Sequence, residues 1–175
     1  MERKTTGKQT TGLKPETPER NPNVLFLCTG NTCRSPIAEA YFAQRCNEGL
    51  KLRCDIASAG LHAVEGMPVS GQAVRALKRR GIAPRSTCSR RLTERMVRDA
   101  DRVIGMTRAH VAELLERYPD AAAKTRTLRE AAGLTGDIAD PYGGSDAVYD
   151  RCLGDMISAL NMLAEHLAEI TRARR

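Results

Sequence analysis

Val24-Leu25-Phe26-Leu27 is an unbroken apolar run that ends at Cys28 and is followed by a polar loop. A short run without polar alternation fits a strand covered on both faces, the situation of a strand inside a parallel sheet. Beyond the loop, Pro36 stands where the first turn of a helix accepts proline, and Ile37, Ala40, Tyr41 and Phe42 continue an apolar stripe. The spacing predicts a helix from Pro36 to Cys46. Strand, tight loop and helix in that order are the first half of a βαβ unit, which commits the chain to an α/β fold.

The pattern recurs downstream. Leu52 to Ala57, Arg102 to Met106 and Thr125 to Leu128 read as strands, and Gly71 to Arg80 and Ala109 to Arg117 as helices. A long terminal helix should follow a cap at Ser145, with Val148, Cys152, Met156, Leu160, Leu163 and Leu167 on its buried face. Such alternation predicts an α/β domain with a doubly wound four-stranded parallel sheet, helices on both faces, of flavodoxin-like topology. Residues 1–21 carry one large apolar residue beyond Met1, Leu13, and so cannot offset the entropy of ordering. They are expected to be a disordered tail before one domain at 22–175.

Lys and Arg number 28 against 21 Asp and Glu, but the basic residues are spread out and have no aromatic residues among them. That argues against nucleic acid as a partner. The longest apolar run is far shorter than the roughly 20 residues of a membrane span. A cytoplasmic protein with no membrane partner is expected. Of the six cysteines, Cys46, Cys54 and Cys152 are expected to be buried, reduced, small hydrophobes. The cysteines lack the paired spacing and His companions of a zinc site, so neither metal nor organic cofactor is implied. His62, His110 and His166 are scattered and are read as surface or packing residues.

The chemistry is expected at the carboxyl end of the first strand, where ligands bind in open α/β sheets. There stands Cys28-Thr29-Gly30-Asn31-Thr32-Cys33-Arg34-Ser35-Pro36, with five residues between Cys28 and Arg34. Gly and Asn tolerate left-handed backbone, so a loop of this length can curl until its amide N–H groups point at one centre. The helix after it aims its positive end at the same place, and a guanidinium can grip two phosphate oxygens at once. A thiol in that field is favoured as thiolate, and Ser35 is placed to hydrogen-bond it as nucleophile and leaving group.

The segment VLFLCTGNTCRSPIAEAYF resembles the signature of the low-molecular-weight protein-tyrosine phosphatase family. Ser58-Ala59-Gly60, the run from Ala100 to Thr107 and that from Asp137 to Ser145 extend the resemblance over about residues 23–170. It implies Cys28 as nucleophile, Arg34 as phosphate clamp, and Asn31, Ser35 and Ser58 as residues that hold the loop. Thr29, Gly30, Thr32 and Cys33 would complete the phosphate site. Asp140 of the DPYGG segment matches the general acid, with Tyr142 at the pocket mouth, and the partners implied are phosphorylated proteins. Where relatives often carry a supporting histidine, between Gly81 and Leu92, this chain offers Thr87.

Tyrosine-directed members of that family place a branched aliphatic residue where this chain has Thr32, and an aromatic one after the Ser-Ala-Gly segment. Here Leu61 to Ser70 reads LHAVEGMPVS, without an aromatic wall to stack on a phenyl ring. CTGNTCRS resembles the protein-arginine phosphatase branch, and a guanidino group needs acceptors that Thr32 and Asp140 could supply. Phosphoarginine is therefore the favoured substrate and phosphotyrosine the alternative. An arsenate reductase would resemble CTGNSCRSQ and carry two further cysteines close together, whereas Pro36 and an isolated Cys88 stand here. A pure phosphoprotein-binding module would not require Cys28, Arg34 and Asp140 together. Cys33, on the same tight loop as Cys28, is a candidate for a reversible disulfide with it, the other reading being a buried packing residue.

Overall fold

The computed structural model describes residues 21–173. The tail expected over residues 1–21 lies, apart from Asn21, outside them. Four strands, β1 (Asn23–Cys28), β2 (Asp55–Gly60), β3 (Arg102–Gly105) and β4 (Thr125–Thr127), form one parallel sheet in the order β2-β1-β3-β4. The six helices are α1 (Arg34–Gln44), α2 (Gly71–Arg79), α3 (Glu94–Asp99), α4 (Arg108–Arg117), α5 (Leu128–Ala131) and α6 (Asp146–Ala173).

The continuous apolar run is explained by its two-sided burial. Val24, Phe26 and Cys28 face one core, shared with α1, α2, α5 and α6. Leu25 and Leu27 face a second core, built with Val97 of α3 and Leu114 of α4. Successive side chains of a strand point to opposite faces, so one run of apolar residues supplies both layers. Because β1 pairs with β2 on one side and β3 on the other, the connections from its two neighbours diverge at its carboxyl end. That end is the crevice where such sheets hold ligands.

Several expected boundaries move. Strand β2 starts at Asp55 rather than Leu52, because the Leu52 amide donates back to the Cys46 carbonyl at 2.9 Å and the ladder begins where Asn23 meets Asp55. It therefore reaches Ser58 and Gly60. The first helix ends at Gln44 and continues as a π-helical turn, Arg45–Leu50. Strand β4 stops at Thr127, whose hydroxyl accepts from the Glu130 amide in a capping box that opens α5. Helix α6 follows Ser145, whose carbonyl accepts from the Val148 and Tyr149 amides. Its buried face carries Tyr149 and Leu153 beside the expected Cys152, Met156, Leu160, Leu163 and Leu167, while Val148 is half-buried. Cys46 and Cys152 are buried as expected; Cys54 is only half-buried and Cys88 is exposed. No helix among the described residues is long and apolar enough to cross a membrane.

Candidate active site

The loop between β1 and α1 is held from outside by its carbonyls. Those of Cys28, Thr29 and Thr32 accept hydrogen bonds from the amides of Leu61 (3.0 Å), His62 (2.9 Å) and Ser70 (2.9 Å). In a trans peptide the N–H points opposite to the C=O, so the amides of Thr29, Gly30 and Cys33 turn inward. Asn31 supplies the bend, with φ of 55° in the left-handed region that Asn tolerates better than most residues. Gly60 lets the loop lie close to β2: a Cβ there would come within 2.6 Å of the Thr29 carbonyl oxygen and 2.9 Å of the Asn31 amide.

A directional chain of buried hydrogen bonds locks this shape. The Asn31 side-chain amide donates to Ser35 Oγ and Ser58 Oγ, each at 2.9 Å, and its oxygen accepts from the Arg90 amide at 2.8 Å. Ser58 Oγ in turn donates to Glu39 Oε2 at 2.6 Å, and Ser86 Oγ donates to the same oxygen at 2.9 Å. The Arg90 guanidinium lies 3.3 Å from that carboxylate. Since Ser35 Oγ receives a proton from Asn31, its own hydroxyl hydrogen is free for Cys28 Sγ, 2.9 Å away. That arrangement stabilises negative charge on sulfur.

Arg34 and Asp140 meet over the loop. Arg34 donates to Asp140 Oδ2 at 2.7 Å and to the Ile138 carbonyl at 3.2 Å, and its Nε is buried without a partner. A carboxylate oxygen thus occupies one tooth of the guanidinium fork, and the orphaned Nε–H is a donor left for a second anionic oxygen. Asp140 is reachable, its side chain 52% exposed. It is oriented by the Tyr142 amide, which donates to Oδ1 at 3.2 Å. Gly143, with φ of 74°, completes the turn in which the Gly144 amide bonds the Pro141 carbonyl. A cavity of about 260 Å³ opens between these elements, lined by Cys28, Thr29, Gly30, Thr32, Cys33, Arg34, Asp140 and Tyr142. Every residue expected at the site lies on this cavity or, for Asn31, Ser35 and Ser58, directly behind it. Tyr142 stands at its mouth, 80% exposed.

Three expectations change. Thr87 is exposed, and the place behind the loop given to it belongs to the Arg90 backbone and to Glu39. His110 is not a bystander: it is 7% exposed, and its Nε2 lies 3.0 Å from Thr29 Oγ1. Burial, with the nearby Arg34 charge, lowers its pKa below the ordinary histidine value. Cys33 Sγ lies 3.1 Å from the Tyr149 hydroxyl, whose own pKa burial pushes up to about 12. Sequence reasoning missed Glu39 and His110. A signal for Glu39 existed, a lone charge amid the apolar residues of α1 one turn beyond Ser35.

Residues 23–173 match the family model described as low molecular weight phosphotyrosine protein phosphatase. The chain is 39% identical to a protein-arginine-phosphatase of Geobacillus stearothermophilus, over 82% of its own length and 95% of that protein's. It is 32% identical to the low molecular weight protein-tyrosine-phosphatase PtpB of Staphylococcus haemolyticus, over 80% of this chain and 96% of the relative. Among solved structures, the YwlE arginine phosphatase from Geobacillus stearothermophilus superposes with a TM-score of 0.80 at 36% identity, covering 88% of this chain and 97% of that one. A cysteine-to-serine mutant of YwlE arginine phosphatase with a phosphorylated active site serine gives 0.79 at 35% identity, over 83% and 95% of the two chains. The fold, the loop geometry and these likenesses agree: the chain is a protein phosphatase of the low molecular weight phosphotyrosine protein phosphatase family.

Proposed function

We propose that the chain is a protein-arginine phosphatase that works through a cysteinyl-phosphate on Cys28. The observation that carries the substrate assignment is the wall of the cavity. Thr32, half-buried, presents a hydroxyl-bearing side chain to it, and Leu61 to Ser70 brings no aromatic ring. A flat phenyl ring would have only the exposed Tyr142 to stack on, whereas a guanidino group could donate to Thr32 Oγ1 and to Asp140. The likeness to protein-arginine phosphatases supports the same reading. The phosphoserine in the mutant relative supports phosphoryl transfer to the residue at the loop's start.

In the proposed cycle the substrate phosphoryl group displaces the Asp140 carboxylate from Arg34 and takes both the freed NH2 and the orphaned Nε. The inward amides hold its remaining charge. Cys28 Sγ attacks phosphorus as the bond to the guanidino nitrogen breaks, and Asp140 gives that nitrogen a proton. Asp140 then takes a proton from the water that attacks the thiophosphate, and Ser35 stabilises the departing thiolate. Phosphorylated proteins in the cytoplasm are the partners this reading assigns.

The test is the initial rate on matched peptides carrying phosphoarginine or phosphotyrosine, for the native chain and for Thr32→Ile. Preference for phosphoarginine should reverse in the variant. Cys28→Ser, run beside them, should bind phosphate yet give no turnover. A native preference for phosphotyrosine would overturn the substrate assignment and leave the mechanism standing; turnover by Cys28→Ser would overturn the mechanism.

A further inference from the structure

Cys46 and Cys54 form a second thiol cluster that the phosphatase chemistry does not use. Cys46 is fully buried in the π-helical turn after α1, and Cys54, half-buried, packs against the same core from the linker before β2. The linker is tied so that the chain folds back on itself: Lys51 takes a left-handed φ of 51°, and the Leu52 amide bonds the Cys46 carbonyl at 2.9 Å. The two thiols hydrogen-bond to each other.

Their environments are unequal. The bond from Cys46 lowers the pKa of Cys54, against burial and the neighbouring Asp55 carboxylate, and the same bond together with burial raises that of Cys46. Cys54 is thus the more readily ionised and the more accessible of the two, and thiolate character with access is what makes a cysteine oxidisable.

We propose that Cys46 and Cys54 are a peroxide-reactive dithiol site, in which Cys54 takes up the oxidising oxygen and Cys46 resolves it as a disulfide. The Cys54 thiolate attacks one oxygen of hydrogen peroxide, forming an S–O bond and breaking O–O. The departing hydroxide collects a proton and leaves as water. Cys46 sulfur then attacks the Cys54 sulfenic sulfur, forming S–S and breaking S–O, and the Cys46 proton leaves with that hydroxide as a second water. Two electrons pass from the thiols to the peroxide. The site lies at the amino end of β2, where Asp55 pairs with Asn23, while Cys28 pairs with Gly60 at the other end. Five residues of strand separate the two ends, roughly 16 Å at about 3.3 Å per residue. The dithiol therefore reacts independently of the phosphate loop.

Trypsin cuts after Arg45, Lys51, Arg53 and Arg75, which puts Cys46 and Cys54 on separate peptides, 46–51 and 54–75. The full chain and its Cys28→Ser variant are treated with hydrogen peroxide, the remaining thiols are alkylated, and the digests are weighed. The linked pair should appear in both proteins, lighter by two hydrogens than the two peptides combined, and vanish on reduction. Cys46→Ser should leave Cys54 as sulfinic acid and slow its alkylation at neutral pH. If native Cys54 instead accumulates as sulfinic acid while Cys46 is alkylated, the resolving step is wrong. Full alkylation of both cysteines after a peroxide dose that oxidises Cys28 would overturn the site.

Discussion

Glu39 is 4% exposed on a helix otherwise packed with small and apolar residues, and its carboxylate receives Ser58, Ser86 and Arg90 at once. Only an anion can accept from all three. Glu39→Gln would set an amide N–H against one of these donors and free Ser58 to turn, which releases Asn31 from the loop. Hydrogen bonds to a buried charge contribute roughly 1.5–3 kcal/mol, so stability should fall by about that amount. Misplacing the groups around Cys28 should lower kcat, up to about 10²-fold, with KM changed far less. Steady-state kinetics on a phosphopeptide beside urea denaturation checks both, and an unchanged kcat would reduce Glu39 to a packing residue. The loop from Cys28 to Ser35 was legible in the sequence because its spacing alone encodes a cradle. Glu39, Arg90 and His110 were not, since their partners are distant in sequence: Thr29 and His110 are 81 residues apart.

At the level of elements, α6 docks by an apolar stripe and by an exposed ladder of ion pairs to α2, and magnitudes decide between them. Arg75 bonds Asp146 at 2.6 Å and Arg79 bonds Asp150 at 2.9 Å, all four side chains being well exposed. Pairs of this kind are screened and add little, although Arg75 holds the Asp146 carboxyl down to about 2. Leu160, fully buried against α1 and the sheet, carries the contact. Leu160→Ala should cost about 2–5 kcal/mol in urea denaturation, whereas Asp146→Asn should leave the midpoint nearly in place. The reverse ranking would mean that charge, not burial, docks the helix. The stripe was readable because period 3.6 persists over many turns. Tyr149 replaced Val148 at its start because its hydroxyl had a buried partner, Cys33, that periodicity does not reveal. Helix α3 escaped notice for the opposite reason: one buried residue, Val97, among charged ones leaves almost no pattern, and only the Thr93 cap marks it.

For the molecule as a whole, the buried His110 ties folding stability to pH. Its pKa in the folded chain lies below the ordinary histidine value because burial and Arg34 disfavour the imidazolium. As pH falls below about 6.5, the unfolded chain gains a proton at this ring before the folded one does. Stability from this group is therefore complete above that pH and declines through the window down to the folded value, below which the slope vanishes. One proton contributes at most about 1.4 kcal/mol per pH unit, enough to show in denaturant midpoints taken between pH 8 and pH 5. His110→Gln, which keeps a polar group near Thr29 Oγ1 but cannot titrate, should flatten that decline. Carboxylates protonate mainly at lower pH and act in both proteins, so the difference between the two curves isolates the histidine. Parallel curves would mean that the ring is accessible to protons in the native state, and that the contact with Thr29 does not depend on a neutral imidazole.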